Sequence, residues 1–169
     1  MQIELIDGNR FGSGWYERYE SLPVREDGSG AKCVMFVTMP KPSVGEIWTV
    51  TSEIHVTNND LRRRDKGVAC TTEVRIGSSP DHDRGSDLPF VRANGSFNVG
   101  VEAHHGLIPR SRSMVWTQDL VDAVAAWDGV YVKQYVWASS TAARSGDRLE
   151  IDQGRGFIQV LRIYGEVTA

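Results

Sequence analysis

The stretch from Gly129 to Tyr164, GVYVKQYVWASSTAARSGDRLEIDQGRGFIQVLRIY, decides the fold class of this chain. Its first segment alternates aliphatic residues with aromatic or charged ones, which is the period of two that a β-strand requires. A Gly-containing turn, RSGD, leads to a second alternating run, and the turn QGRG leads to a third. Three strands joined by such turns predict an antiparallel sheet that closes a β-sandwich or barrel.

Earlier segments repeat the strand pattern. Residues 31–39, AKCVMFVTM, are apolar on both faces and predict a central strand that ends at Pro40, because proline cannot donate to a strand ladder. Residues 45–58 and 67–77 each place one continuous face toward a core, and a later strand is expected to do the same. The expected inward residues are Trp48, Val50, Ser52, Ile54 and Val56, then Val68, Cys70, Thr72, Val74 and Ile76, then Phe97, Val99, Val101 and Ala103.

One short helix of about ten residues interrupts the strands, with Thr117 as its N-cap and Gly129 as its C-terminal stop. Its apolar residues Leu120, Val121, Val124 and Trp127 recur at helical spacing. Neither alternating strand and helix units nor a nucleotide-binding glycine fingerprint is present. The fold class expected from these patterns is all-β, a jelly-roll type antiparallel β-sandwich with one short helix.

The chain has 169 residues, a length that predicts one main domain. Residues 31–169 are expected to form the β-sandwich. Residues 1–30 are rich in glycine and aromatic residues and are expected to form an arm or loop. The aromatic residues of this arm, including Trp15 and Tyr19, favour packing on this chain or on a partner.

The charge balance argues against some classes of partner. With 19 basic and 22 acidic residues the net charge is −3, whereas general nucleic-acid or anionic-membrane binders normally carry a basic excess. No signal peptide or membrane-spanning run is evident, so a protein made in the cytoplasm is expected. Cys33 and Cys70 lie within strand patterns and favour buried free thiols, with a disulfide between neighbouring strands left open.

Four residues with aromatic or charged side chains share the second face of the strand after Gly129: Tyr131, Lys133, Tyr135 and Trp137. The opposite face is aliphatic and belongs to the core. A row of aromatic rings outside the core can be a sugar-stacking platform, a subunit interface, or the floor beneath the N-terminal segment. These three alternatives remain open at the level of sequence.

Only one set of residues suggests catalysis or metal binding. Glu102 and His104 share one strand face, Glu53 and His55 share another, and convergence of the four would provide ligands for zinc or an acid/base pair. Strand order decides whether they meet. Otherwise the histidines are strand-end residues that hydrogen-bond to a loop. No GxSxG elbow occurs in the sequence, and we expect neither a cofactor nor an enzyme.

The segments NGSFNVGVEAHHGLIPRSRSMVW and YVKQYVWASSTAARSGDRLEIDQGRGFIQVLR resemble the jelly-roll modules of tail, fibre and other virion-associated proteins of actinobacteria-infecting phages. The closing GDRLEIDQGRGFIQVL is similar to the last hairpin of C1q/TNF-like sandwiches, which assemble as trimers. The resemblance implies a non-catalytic structural or adhesive module that oligomerises.

Three hypotheses follow from the sequence. The first is a phage virion component, such as a decoration or tail-associated protein, that forms a trimer or larger homo-oligomer or joins other virion subunits and resides in the virion. The second is a carbohydrate-binding module that holds a glycan on the aromatic row. The third is a small metal-dependent or acid/base enzyme on a β-barrel. Under all three, we expect Leu149, Ile151 and Leu161 to be buried by a closing hairpin.

Overall fold

The structure is a computed structural model, and it describes residues 1–10, 20–27, 29–58, 68–81, 84–91, 97–99, 106–141, 143, 146–152 and 156–165. Several residues singled out above lie outside the described residues: Trp15, Tyr19, Val101, Glu102, Ala103 and His104.

Strands dominate the described residues, and one helix interrupts them. In chain order the elements are β1 (Gln2–Asp7), β2 (Asn9–Arg10), β3 (Glu20–Arg25), β4 (Lys32–Met39), β5 (Ile47–Thr57), β6 (Val68–Gly77), β7 (Leu88–Val91), β8 (Phe97–Val99), β9 (Gly106–Val115), α1 (Gln118–Val124), β10 (Val130–Ser139), β11 (Arg148–Ile151) and β12 (Phe157–Tyr164).

The strands form two main sheets whose inward faces share one hydrophobic core. The first sheet has the order β1-β12-β5-β9, and the second has the order β4-β10-β6, with β7 and β8 both paired to the far edge of β6. The chain crosses from one sheet to the other at most connections, as it does in jelly-roll sandwiches. The expected fold class is therefore confirmed.

The inward faces expected for the two long strands β5 and β6 are confirmed. All ten residues expected to face inward there are buried, from Trp48 to Val56 and from Val68 to Ile76. On the short edge strand β8 the outcome is divided. Val99 is buried, but Phe97 is 37% exposed and carries the Arg110 guanidinium over its ring at 5.2 Å. Phe97 is thus covered by a cation and not by the core.

The expected closing hairpin is wrong. Strands β11 and β12 both pair with the same edge of β5, where Ile151 lies opposite Val56 and Phe157 lies opposite Glu53. The two strands therefore follow one another along β5 in the same direction and do not pair with each other. Strand β10 belongs to the second sheet, so it is not the hairpin partner of β11 either. The similarity to a C1q/TNF-like closing hairpin does not extend to this pairing.

Burial at this end of the chain follows from the pairing. Leu149 and Ile151 are buried, as expected, with exposures of 0% and 4%. Leu161 is only half-buried, which corrects the third expectation. The inward residues of β12 are Ile158 and Val160, so Leu161 has the opposite orientation and projects from the outer face of the first sheet.

The first 30 residues do not form a separate arm where the structure describes them. Residues 2–7 are edge strand β1, paired along their length with β12. Residues 20–25 are β3, which pairs antiparallel with β11 and parallel with the end of β10, and so links the two sheets. These parts belong to the sandwich, because their backbone groups complete its strand ladders.

The helix is shorter than expected. It begins after Thr117, whose side chain makes no capping hydrogen bond, and it ends at Val124 with Ala125 still in a right-handed helical conformation. Gly129 is therefore not its stop. No helix among the described residues is long and apolar enough to cross a membrane.

Both cysteines are free thiols in the structure, so the alternative of a disulfide between them is not realised. Cys70 is buried, and Cys33 is half-buried. Burial raises the pKa of Cys33 to about 11 and that of Cys70 to about 12. Thiols with such pKa values are almost entirely protonated near neutral pH and are poor nucleophiles.

A buried ion pair fastens one end of the first sheet. Glu46 is 4% exposed and accepts two hydrogen bonds from Arg162, at 2.8 and 2.7 Å, and one from the Trp48 indole at 3.0 Å. The Trp48 ring in turn meets Trp116 edge to face, with centroids 4.6 Å apart. The carboxylate therefore joins β12 to the start of β5.

We expect this ion pair to contribute to acid unfolding. Burial by itself raises the pKa of Glu46, but the hydrogen bonds from Arg162 and Trp48 outweigh it and hold the pKa below the ordinary value. The stabilisation is present above the unfolded-state pKa and is lost as pH falls through the folded-state pKa. Urea unfolding from pH 6 to pH 2 should show a steeper loss for the wild type than for Glu46→Gln, and equal slopes would contradict this assignment.

Candidate functional site

The row of Tyr131, Lys133, Tyr135 and Trp137 lies on the central strand of the second sheet, with β4 and β6 paired to its two edges. Lys133 and Tyr135 are fully buried, whereas Tyr131 and Trp137 are half-buried. Contacts from the segment that joins β6 to β7 cover this face. At Lys133 and Tyr135 the contacts come from the chain itself, which is one of the three alternatives left open by the sequence.

Beneath this segment, Lys133, Tyr135 and Asp87 make a buried polar cluster. The Lys133 ammonium lies 3.1 Å from Asp87 Oδ2, and the two side chains are 0% and 2% exposed. The Tyr135 hydroxyl donates to the same oxygen at 2.7 Å. Lys133 also donates to the backbone carbonyl of Asp81. The buried lysine thus has both a counter-charge and a neutral acceptor, as burial of a charge requires.

A second ionic group holds the covering segment in place. Arg75 donates to the backbone carbonyls of Arg84 and Asp87, at 2.7 and 2.6 Å, and to the Glu73 carboxylate at 3.1 Å. Arg84 bonds the same carboxylate and lies over the Trp137 ring, 4.9 Å from its centroid. A side chain of the chain itself therefore occupies one face of Trp137.

The two half-buried aromatics do not make a flat platform. Tyr131 packs edge to face against Phe36, with centroids 5.9 Å apart and planes 78° apart, and Trp137 lies under Arg84. Sugar stacking needs open ring faces. A contact with a glycan or another subunit at Tyr131 and Trp137 remains a prediction. Lys133 and Tyr135 could not take part in such a contact, because they are fully buried.

The structure brings together one half of the expected acid/base set. His55 Nε2 lies 2.8 Å from Glu53 Oε1 on the outer face of β5, with the side chains 19% and 27% exposed. Glu102 and His104 lie outside the described residues. Within the described ranges, no group of three or more His, Cys, Asp or Glu side chains is arranged to hold a metal ion.

An apolar surface that we did not predict lies on the outer face of the first sheet. Directly opposite residues of antiparallel strands project to the same side. One row of directly opposite residues crosses all four strands and consists of apolar residues only, from Ile3 to Val115. In the next row along the strands, Leu5 lies opposite Leu161. We call the set of these residues the apolar face: Ile3, Ile163, Ile47, Val115, Leu5 and Leu161.

The exposure of the apolar face is greatest at its two edges. Ile3 and Leu5 on β1 are 64% and 57% exposed, and Val115 on β9 is 53% exposed. Isolated apolar residues on a surface are ordinary, whereas a large contiguous exposed apolar patch is typical of interaction surfaces. The signal was present in FIQVLRIY, which is apolar on both strand faces. Such a strand is usually buried on both sides, and this one is not.

The two edge strands of this sheet also carry opposite charges. Strand β1 has Glu4 and Asp7, and β9 has Arg110 and Arg112. Glu4 lies 3.5 Å from Arg162 of the neighbouring strand, and Arg110 donates to Thr72 of β6, so these two charges have partners within the chain. Among the described strands, β1 pairs only with β12 and β9 only with β5, so each leaves one edge without a ladder partner. Unpaired edges readily accept another strand.

Similar folds occur in virus particles. The chain matches the structure of infectious bursal disease virus, Gt strain, over 97% of its own length and 33% of that chain, at 13% sequence identity and a TM-score of 0.57. It matches the structure of T=1 particles derived from infectious bursal virus over 95% of its length and 31% of that chain, at 12% identity and a TM-score of 0.56. It therefore spans about a third of the length of these chains. No family model and no curated protein matches the sequence.

Proposed function

We propose that this chain is a non-catalytic structural subunit of a virion, as a phage decoration or tail-associated protein, and that copies associate through the edges of the first sheet. The observation that carries the proposal is the apolar face, which crosses the whole sheet and is most exposed at both edges. The jelly-roll fold found in virus particles and the phage-like sequence segments support the same function.

A second copy of the chain fits this surface better than an unrelated partner. The apolar row ends at Ile3 on β1 and at Val115 on β9, so the row of one copy can continue into the row of the next. Alternating antiparallel pairing makes β1 and β9 run in opposite directions, so β1 of one copy can extend the sheet at β9 of the next. Such a head-to-tail contact forms a ring of three or more subunits when its rotation closes.

Sedimentation of two single variants tests the contact. We expect the wild type to sediment as a trimer or larger species, and Ile3→Glu and Val115→Glu each to sediment as monomers. A carboxylate buried in an apolar contact costs several kcal/mol, and about 4 kcal/mol raises a dissociation constant about a thousandfold. Thr38→Glu, at an exposed strand position on the second sheet, is the matched control and should sediment as the wild type does.

A mixture of the two variants separates head-to-tail from symmetric association. Each variant keeps one intact edge, so an equimolar mixture should form heterodimers that grow no further. Association of Val115→Glu alone, with dissociation of Ile3→Glu, would indicate a symmetric β1 contact and contradict the head-to-tail arrangement. A wild type that stays monomeric at all concentrations and binds no virion subunit would overturn the assembly proposal.

A further inference from the structure

The buried polar cluster places an amine and a carboxyl group in a geometry suited to covalent chemistry. Lys133 Nζ is 3.1 Å from Asp87 Oδ2, both side chains are shielded from water, and the Tyr135 hydroxyl donates to that same oxygen at 2.7 Å. Groups held at contact distance in a site without water react as though present at very high concentration. The cluster therefore contains a nucleophile, an electrophile and a hydrogen-bond donor to the electrophile.

The surroundings of Asp87 are shaped to hold its carboxyl group close to the strand. Gly77 is the residue that makes room for it, since a Cβ at that position would lie 2.2 Å from Asp87 Oδ1 and 2.8 Å from Cγ. Arg75 fixes the Asp87 backbone carbonyl at 2.6 Å, and the Asp81 carbonyl accepts from Lys133. Asp87 is thus restrained at its backbone and at its side chain, and Lys133 is aimed by a second acceptor.

We propose that Lys133 and Asp87 condense to an intramolecular isopeptide bond. The ammonium passes one proton to the carboxylate, and the neutral Nζ then attacks Asp87 Cγ. The tetrahedral adduct places negative charge on Oδ2, where the Tyr135 hydroxyl stabilises it. A new N–C bond forms, the bond from Cγ to Oδ1 breaks, and Oδ1 leaves as water with two of the three ammonium protons. The charges of the pair cancel, and no oxidant or reductant is needed.

Burial favours the product over the ion pair. Two charges in a low-dielectric interior carry a large desolvation cost, whereas an amide is neutral and keeps an N–H and a carbonyl for the partners already present. The amide carbonyl can accept from Tyr135, and the amide N–H can donate to the Asp81 carbonyl. The bond would tie the central strand of the second sheet to the segment that covers it, a useful restraint in a subunit of a shell.

The intact mass of the denatured full-length chain tests this inference without reference to assembly. We expect a mass lower by one water than the sequence requires, and a branched proteolytic peptide that joins Lys133 to Asp87. Lys133→Met and Asp87→Ala should each show the mass that its own sequence requires, with no loss of water, whether or not these variants fold. Tyr135→Phe keeps both reacting groups and should show a smaller cross-linked fraction after the same time.

The outcomes are distinct. A wild-type mass equal to the sequence value, both fresh and after prolonged incubation of the folded protein, would overturn the proposal and leave an ordinary ion pair. A loss of water that persists in Lys133→Met would also overturn it, because the dehydration would then lie elsewhere. Since mass does not depend on subunit association, failure of the cross-link and failure of the assembly proposal can be told apart.

Discussion

Replacement of Trp48 by alanine should lower the free energy of unfolding by about 3 to 5 kcal/mol, the usual range for removal of a large buried aromatic side chain. Trp48 is 0% exposed on the inward face of β5, and its ring meets Trp116 at 4.6 Å. The truncation leaves a cavity beside Trp116. It also removes the indole N–H that donates a 3.0 Å hydrogen bond to Glu46. Urea unfolding monitored by far-ultraviolet circular dichroism measures the loss.

Two companion variants separate the contributions at this position. Trp48→Phe retains most of the ring but not the indole N–H, so its loss should be smaller than that of Trp48→Ala. Trp127→Ala removes a half-buried tryptophan that packs at the edge of the core, and it should also cost less than Trp48→Ala. A loss below about 1 kcal/mol for Trp48→Ala would mean that the two tryptophans do not pack as described.

Replacement of Ile151 by alanine should cost about 2 to 5 kcal/mol, because Ile151 is a large aliphatic side chain at 4% exposure on β11. Its neighbour Glu150 has the opposite orientation on the same strand and is half-buried. Glu150→Ala should cost well under 1 kcal/mol, unless subunits associate over that face. Chemical denaturation of both variants under identical conditions gives the two values.

Comparison of the pair tests the register of β11, which is set by Ile151 opposite Val56 and Glu150 opposite Thr57. A shift of one residue exchanges the faces of every side chain in a strand. Equal losses at Ile151 and Glu150 would therefore contradict this register. A larger loss at Glu150 than at Ile151 would mean that Glu150, and not Ile151, faces the core.

The alternating pattern was sufficient to predict the long strands β5 and β6 with their inward faces, but it missed β1 and β3 and gave Phe97 and Leu161 the wrong orientation. In β5 and β6 every residue expected to face the core is buried, because the period of two is a local consequence of backbone geometry. The end of β4 before Pro40 was predicted for a similar reason, since proline removes a backbone donor. The all-β jelly-roll class followed from the number of such strands and the single short helix.

The same pattern could not identify which strands pair. Three alternating runs at the C-terminal end were expected to be sequential neighbours, yet β10 lies in one sheet while β11 and β12 both lie along β5 in the other. A turn sequence such as RSGD reverses the chain equally well within a sheet or between sheets. Pairing depends on contacts between distant segments, and these have no local signature.

The sequence by itself thus determined the fold class and the inward faces of the long strands β5 and β6. Only the tertiary structure decided what lies against each outer face. From the sequence, the row of Tyr131 to Trp137 could meet a glycan, another subunit or the chain itself, and in the structure the segment between β6 and β7 covers Lys133 and Tyr135. The row from Ile3 to Val115 looked like ordinary strand, but it is left open. Alternation specifies which side chains share a face, whereas contacts from remote parts of the chain determine whether that face meets water, a loop or another molecule.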